Sequence, residues 1–334
     1  MILVTGGTGL VGSHLLFDLV KKGESIRALR REKSSLQDVR DCFAYYSNSA
    51  DELFDKIEWV NGDMLDTDSL DEALEGISRV YHCAALVSFK KADKGLMKNI
   101  NVEGTRNIVD ACIEHKIQKL CYVSSVAALG SPEEPGDTVT EKTTWSPEDK
   151  RSGYSISKFN SELEVWRGIE EGLDAVIVNP SIILGPGQWH KGSSLLFTTV
   201  AKGMKYFTRG ITGYVDVRDV SKAMVQLMDS DIKNERFLLN ADNCSYEFIF
   251  KSIAKALNLP EPSKYASPLL TGIGWRLAYL KTIFLFKESS FTKATARSSH
   301  NRTYFSNQKI KDALDFEFIS VANSIKDAVK HYPK

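Results

Sequence analysis

Short apolar, β-branched runs recur along the first two-thirds of the chain. Ile2-Leu-Val-Thr5, Ser25-Ile-Arg-Ala-Leu29, Ile57-Glu-Trp-Val60, Arg79-Val-Tyr-His-Cys83, Lys119-Leu-Cys-Tyr-Val123 and Ala175-Val-Ile-Val178 each read as a strand. Between them lie longer segments, such as His14–Lys22 and Asn101–His115, whose apolar residues fall at helical spacing. Strand–helix alternation of this kind predicts an α/β fold, a doubly wound parallel sheet covered by helices on both faces. After Pro180 the pattern loosens. Gly185-Pro-Gly187 marks a turn, Val215-Asp-Val-Arg-Asp219 reads as a return to the sheet domain, and Phe237-Leu-Leu-Asn240 reads as one more strand. The predicted organisation is a sheet domain over 1–180 with 215–240 returning to it. A smaller, mostly helical substrate lobe is predicted over 181–214 and 241–334.

The stretch from Tyr265 to Phe286 is strongly apolar, but Pro268 and two glycines interrupt it and it carries Arg276 and Lys281. A spanning helix needs about 20 mostly apolar residues. The stretch therefore reads as lobe helices and no transmembrane segment is expected; peripheral contact with a membrane is the alternative. Lysine and arginine balance aspartate and glutamate at 43 each, so no basic excess points to nucleic acid. Five scattered cysteines with no CxxC pair suggest reduced thiols rather than disulfides or a zinc site, and no histidine spacing suggests a metal. With no basic leader before Ile2-Leu-Val-Thr5, a cytoplasmic protein is expected.

Gly6, Gly9 and Gly12 follow the first strand at G-x-x-G-x-x-G spacing and open a helix. The first glycine allows the tight turn, the second lets the backbone approach a pyrophosphate, and the third lets helix and sheet pack closely. The helix N-terminus then offers free amides to the anion. The second strand ends in Arg30-Arg31, 18 residues beyond Gly12, where a chain that prefers NAD usually carries an acid for the ribose 2′-hydroxyl. An arginine there favours a 2′-phosphate, hence NADP(H) over NAD(H). Asp63-Met64 follows the third strand, in place to border the adenine. His82-Cys83-Ala84-Ala85 ends the fourth, its small residues leaving room for a cofactor, with His82 a packed strand residue.

Tyr154 and Lys158 stand four apart, on one face of a helix. A free phenol has a pKa of about 10. A nearby cation lowers it, making Tyr154 a usable acid or base. Ser124 and Ser125 end the fifth strand at the carboxyl edge of the sheet, where a hydroxyl can donate to a carbonyl gaining charge.

Taken together these residues resemble the extended short-chain dehydrogenase/reductase family, also called the NAD-dependent epimerase/dehydratase family. The landmarks are Thr5-Gly-Gly-Thr-Gly-Leu-Val-Gly12, Gly62-Asp-Met64, His82-Cys-Ala-Ala85, Asn101-Val-Glu-Gly-Thr105, Val123-Ser-Ser125, Tyr154-x-x-x-Lys158, Asn179-Pro-Ser181, Gly185-Pro-Gly187 and Val215-Asp-Val-Arg-Asp219. They span roughly residues 1–220, in family order. The resemblance implies Tyr154 as proton donor or acceptor, Lys158 as its electrostatic partner and ribose ligand, and Ser125 as the catalytic serine. It implies that Thr5, Gly6, Gly9, Leu10, Val11, Gly12, Arg30, Asp63, Met64, Ala84, Ala85, Ser124, Tyr154 and Lys158 line the cofactor. Pro180 and Ser181 would flank the nicotinamide, and Asn101, Gly104 and Thr105 would support the cofactor side of the sheet. It also implies a homodimer through the helices near 93–115 and 153–172.

Three departures weaken a nucleotide-sugar reading. Ala127 replaces a common threonine, Asn179 an arginine, and Arg30 the acid of NAD-retaining epimerases. They lean towards the branch resembling dihydroflavonol reductases. The expected function is NADP(H)-dependent hydride transfer to or from a carbonyl or secondary alcohol of a small, fairly apolar substrate. Trp189, Phe197, Tyr206, Phe207, Tyr214, Trp275 and Phe284 are available to an apolar cleft. A nucleotide-sugar epimerase or dehydratase is the alternative; its pyrophosphate could use Arg209, Arg218, Arg276, Arg297 or Arg302. A non-catalytic cofactor sensor is the third reading, and the intact Ser125, Tyr154 and Lys158 argue against it.

Overall fold

A computed structural model of the chain describes residues 1–132, 134, 136–146, 151–285 and 292–333. Seven strands form one parallel sheet: β1 (Ile2–Thr5), β2 (Ile26–Arg30), β3 (Ile57–Asn61), β4 (Arg79–His82), β5 (Lys119–Val123), β6 (Ala175–Pro180) and β7 (Glu235–Leu239). Their order across the sheet is β3-β2-β1-β4-β5-β6-β7. The winding reverses between β1 and β4, which opens a crevice at the carboxyl ends of those strands.

Alternation along each strand feeds two cores, because successive side chains point to opposite faces. Ile2 and Val4 of β1, Cys121 and Val123 of β5, and Val176 and Val178 of β6 pack on one face. There they meet Leu15, Leu16 and Leu19 of α1 (Leu10–Lys22) and further apolar residues from the second half of the chain. Leu3, Leu120, Tyr122, Ala175 and Ile177 point the other way. They pack against α2 (Thr67–Leu74), α3 (Gly104–Glu114) and α4 (Gly153–Glu170) through Leu70, Leu74, Ile108, Val109 and Val165. Such strands are apolar almost throughout because neither face meets water.

A second, smaller unit is built on a three-stranded sheet of Ile182–Leu184, Ile211–Asp216 and Asp242–Ser245. Phe197, Phe207, Tyr214, Ile249, Ile253, Val321 and Ile325 form its core. The return to the main sheet begins later than the sequence suggests. Val215 and Asp216 pair with Ile183 and Leu184 in the small sheet. Asp216 then caps α5 (Val217–Asp229), which carries Val220, Ala223, Met224 and Leu227 onto the main core. Nor does the chain after 241 stay in the lobe, for Ile310 and Phe316 are buried in the main core.

Candidate active site

The turn after β1 is fixed by steric contact. Gly6 has φ +69°, and a Cβ there would lie 2.5 Å from the Ala84 amide nitrogen. A Cβ on Gly12 would collide with the Gly6 carbonyl. The Gly9 amide donates to that carbonyl at 2.9 Å, and Gly9 opens α1 without any side-chain cap. Half-buried Leu10 and Val11 start the helix. An uncapped N-terminus on a backbone with no side chains in the way is suited to an anion. Beneath the turn, Thr5 Oγ1 lies 2.7 Å from His82 Nδ1, and His82 Nε2 lies 3.0 Å from Thr105 Oγ1. Burial pushes the His82 pKa down to about 3, so this imidazole stays neutral and serves as a hydrogen-bonded strut.

Arg30 ends β2, and its Nε is shielded from solvent with no hydrogen-bond partner among the described residues. Exposed Asp63 accepts from the Leu65 amide at 3.0 Å. Met64 packs beside Gly104, with its carbonyl accepting from Asn107 Nδ2. Ala84 and Ala85 lead away from β4, and Asn101 clamps the next residue, Leu86, through both its amide and its carbonyl. Asn101 sits in a π-helical turn over Lys98–Glu103 and also donates to Ser157 Oγ, on α4.

Tyr154 and Lys158 lie on α4, whose N-terminus is capped by Ser152. Burial raises the Tyr154 phenol pKa, and a side-chain hydrogen bond with Ser125 acts the other way. Ser125 Oγ also accepts from the Ala127 amide. The Lys158 ammonium is 2% exposed and donates to the Val123 carbonyl at 2.8 Å and to the Tyr122 hydroxyl at 3.1 Å. Burial pulls its pKa down to about 8, against the opposing pull of Glu162. The group sits at the carboxyl end of β5. Phe89 lies edge-on to the Tyr154 ring, 5.8 Å between centroids, and is half exposed.

Two predicted contacts are otherwise engaged. Ser124 turns inward and donates to Glu162 Oε2 at 2.5 Å. Ser181, next to buried Pro180, donates its hydroxyl to the Leu239 carbonyl. Of the aromatic residues proposed for a cleft, Phe197, Phe207 and Tyr214 are buried in the lobe core; the Phe284 side chain lies outside the described residues.

Glu162, one turn beyond Lys158, escaped the sequence reading. Its carboxylate accepts from Ser124, from Asn179 Nδ2 at 2.7 Å and from Arg236 Nη1 at 2.9 Å. Asn179 and Arg236 come from β6 and β7, so one buried group ties the serine turn, the helix and two strands together. Gln188 was likewise missed. From the lobe side, its amide donates to the Thr8 carbonyl at 2.7 Å and to Asp38 at 2.8 Å, latching the glycine turn. Neither residue has a local signal, because their partners are distant in the chain.

Residues 2–239 match the model of the NAD-dependent epimerase/dehydratase family. The chain belongs to that family. It is an NAD(P)-dependent oxidoreductase of the extended short-chain kind. Sterol demethylase protein B of Methylococcus capsulatus is 33% identical over 276 residues, covering 81% of this chain and 79% of the relative. Cinnamoyl-CoA reductase 1 of Petunia hybrida is 27% identical over 348 residues, covering 99% and 91%. The crystal structure of gox2253 superposes with a TM-score of 0.81 at 27% identity, over 99% of this chain and 97% of that one. The site fits the family's dinucleotide: backbone contacts at Gly6 and Gly12 admit no side chain, which leaves the N-terminus of α1 bare, and among the described residues the shielded Arg30 Nε has no hydrogen-bond partner.

Removing one partner from a buried charge pair is costly because the other charge remains uncompensated. Arg236→Met should lower stability by about 3–5 kcal/mol, read by urea unfolding at neutral pH. Combining it with Glu162→Gln should recover part of that loss.

Proposed function

We propose that the protein is an NADP(H)-dependent reductase or dehydrogenase that works on a carbonyl or secondary alcohol of a small, fairly apolar substrate. The observations that carry this are the Tyr154 phenol hydrogen-bonded to Ser125, the Lys158 ammonium on the Val123 carbonyl at the end of β5, and a glycine turn that opens α1 without a side-chain cap. Gly6, Gly9, Leu10, Val11 and Gly12 hold the pyrophosphate, and Arg30 the 2′-phosphate. Asp63 and Met64 border the adenine, with Ala84, Ala85, Pro180 and Ser181 towards the nicotinamide. The nicotinamide, when bound, gives or takes the hydride. Tyr154 gives or takes the proton at the substrate oxygen. Ser125 donates to that oxygen as it gains charge, and the Lys158 ammonium lowers the cost of the phenolate. Ser124 supports this group from behind, through Glu162.

The names of the relatives agree with this direction, since cinnamoyl-CoA reductase reduces a carbonyl compound and sterol demethylase protein B is named for an apolar substrate class. The arginines that a nucleotide-sugar enzyme would need are partly spent. Arg218 is paired with Asp216 and Asp327. We place the enzyme in the cytoplasm, consistent with its five free cysteines. We also propose a homodimer through α3 and α4, where Leu163 is exposed on the outer face.

Tyr154→Phe should reduce turnover by about 10²–10⁴-fold with little change in cofactor affinity, since it keeps the ring and removes only the ionisable oxygen. Lys158→Met should harm both. Reduction should fall at alkaline pH: the Lys158 ammonium is lost above about 8, and the protonated phenol is lost above that. Oxidation needs the phenolate and should rise with pH until the lysine charge is gone. A panel of ketones, aldehydes and nucleotide sugars followed by NADPH absorbance supplies the assay, and a Tyr154→Phe protein with near wild-type turnover overturns the mechanism.

Calorimetric titration should show tighter binding of NADPH than NADH, with Arg30→Ala removing most of the difference. A charge-assisted contact of this kind contributes about 1.5–3 kcal/mol. Equal or tighter NADH binding by the wild type rejects the preference. Light scattering should give twice the 37.3 kDa chain mass; a concentration-independent single-chain mass rejects the dimer.

A further inference from the structure

The helix Pro268–Leu285 (α6) presents an unusual outer face. Leu269 is 76% exposed, Leu277 54%, Ile273 49% and Leu270 43%. At about 100° per residue these four positions fall within a single arc of about 100°. On the other side Thr271 is buried, and its hydroxyl lies 2.8 Å from His300 Nε2, so the helix is pinned to the lobe with its apolar side turned out. An exposed apolar stripe of this kind marks an interaction surface rather than ordinary surface scatter.

The stripe has a cationic and aromatic flank. Lys264–Tyr265 pairs with Tyr206–Phe207 in a two-stranded ribbon immediately before α6. Tyr206 and Tyr265 are both exposed, with Lys264 over the first ring and Arg209 over the second. Segments 202–210 and 261–277 carry Lys202, Lys205, Arg209, Lys264 and Arg276 against one acid, Glu261, in a chain whose charges otherwise balance. No helix among the described residues is long and apolar enough to cross a membrane.

We propose that α6 and its ribbon dock on an anionic lipid surface. The helix lies in the plane of the interface with Leu269, Leu270, Ile273 and Leu277 among the acyl chains. The two tyrosines stand at headgroup level and the cations meet lipid phosphates. Charge selects this occupant: two copies packed face to face would bring the same cations together around the stripe, whereas anionic headgroups neutralise them.

The test is co-sedimentation of the full chain with vesicles of phosphatidylcholine alone or mixed with phosphatidylserine. Binding is expected to the mixed vesicles and to weaken with salt. Leu269→Glu with Ile273→Glu should abolish it. Lys205→Glu and Lys264→Glu should each weaken it by about fivefold or more, following the usual contribution of one basic residue at such a surface. All four positions are exposed and outside the active site, so NADPH binding by these variants in vesicle-free buffer should match the wild type, which confirms that they fold. The docking is separate from the proposed chemistry and fails separately. Equal sedimentation with and without vesicles overturns it, as does binding that ignores phosphatidylserine. Self-association abolished by the same leucine and isoleucine substitutions would assign the stripe to a second copy and equally overturn it.

Discussion

Burying the Lys158 ammonium is the constraint around which the active site is arranged. A lone cation at 2% exposure is expensive, and its lowered pKa shows that the expense is only partly offset. The Val123 carbonyl and the Tyr122 hydroxyl accept hydrogen bonds from it. Glu162 supplies opposite charge one helical turn away. That carboxylate is itself buried and needs donors, which Ser124 provides from the turn after β5 and Asn179 and Arg236 from two strands. One charged side chain thus accounts for why a serine at the strand end faces inward and why an arginine of β7 reaches across β6.

What was readable in the chain divides by range. The glycine turn, the strand runs and the Tyr154–Lys158 pair are each encoded within a few residues, so periodicity and spacing were enough to find them. β1 and β5 have the predicted limits, and the other strands differ by a residue or two at their ends. The Glu162 carboxylate was invisible because an acid in a helix is ordinarily solvated, and its partners lie 17, 38 and 74 residues away. Gln188 was hidden for the same reason, 180 residues from Thr8. Of the two adjacent serines the family resemblance singles out Ser125; Ser124 turns inward to Glu162, while Ser125 hydrogen-bonds the Tyr154 phenol.

The second lobe was least legible. Its strands are short, three or four residues at two of the three positions, and they alternate with main-sheet elements rather than following one another. Val215 and Asp216 look like the start of a returning unit because the helix after them does return; the strand itself belongs to the small sheet. Tyr214 and Phe207 look available to a ligand in the sequence but are needed as core, since a unit this small has few large residues to fill it.

The π-helical turn at Lys98–Glu103 has a consequence for how this chain can vary. A π-turn holds one residue more than the regular helix could, and each residue advances a helix by about 100°. The wider i→i+5 winding takes up that surplus residue locally, so the helix beyond the segment keeps its facing, with Thr105 beside His82. A one-residue deletion in the segment would leave an ordinary helix and would not turn Thr105 away. What it would displace is Asn101, which sits inside the π-turn and clamps the Leu86 loop from there. The surplus residue thus serves the loop rather than the helix, so length should be kept here even where residue identity drifts.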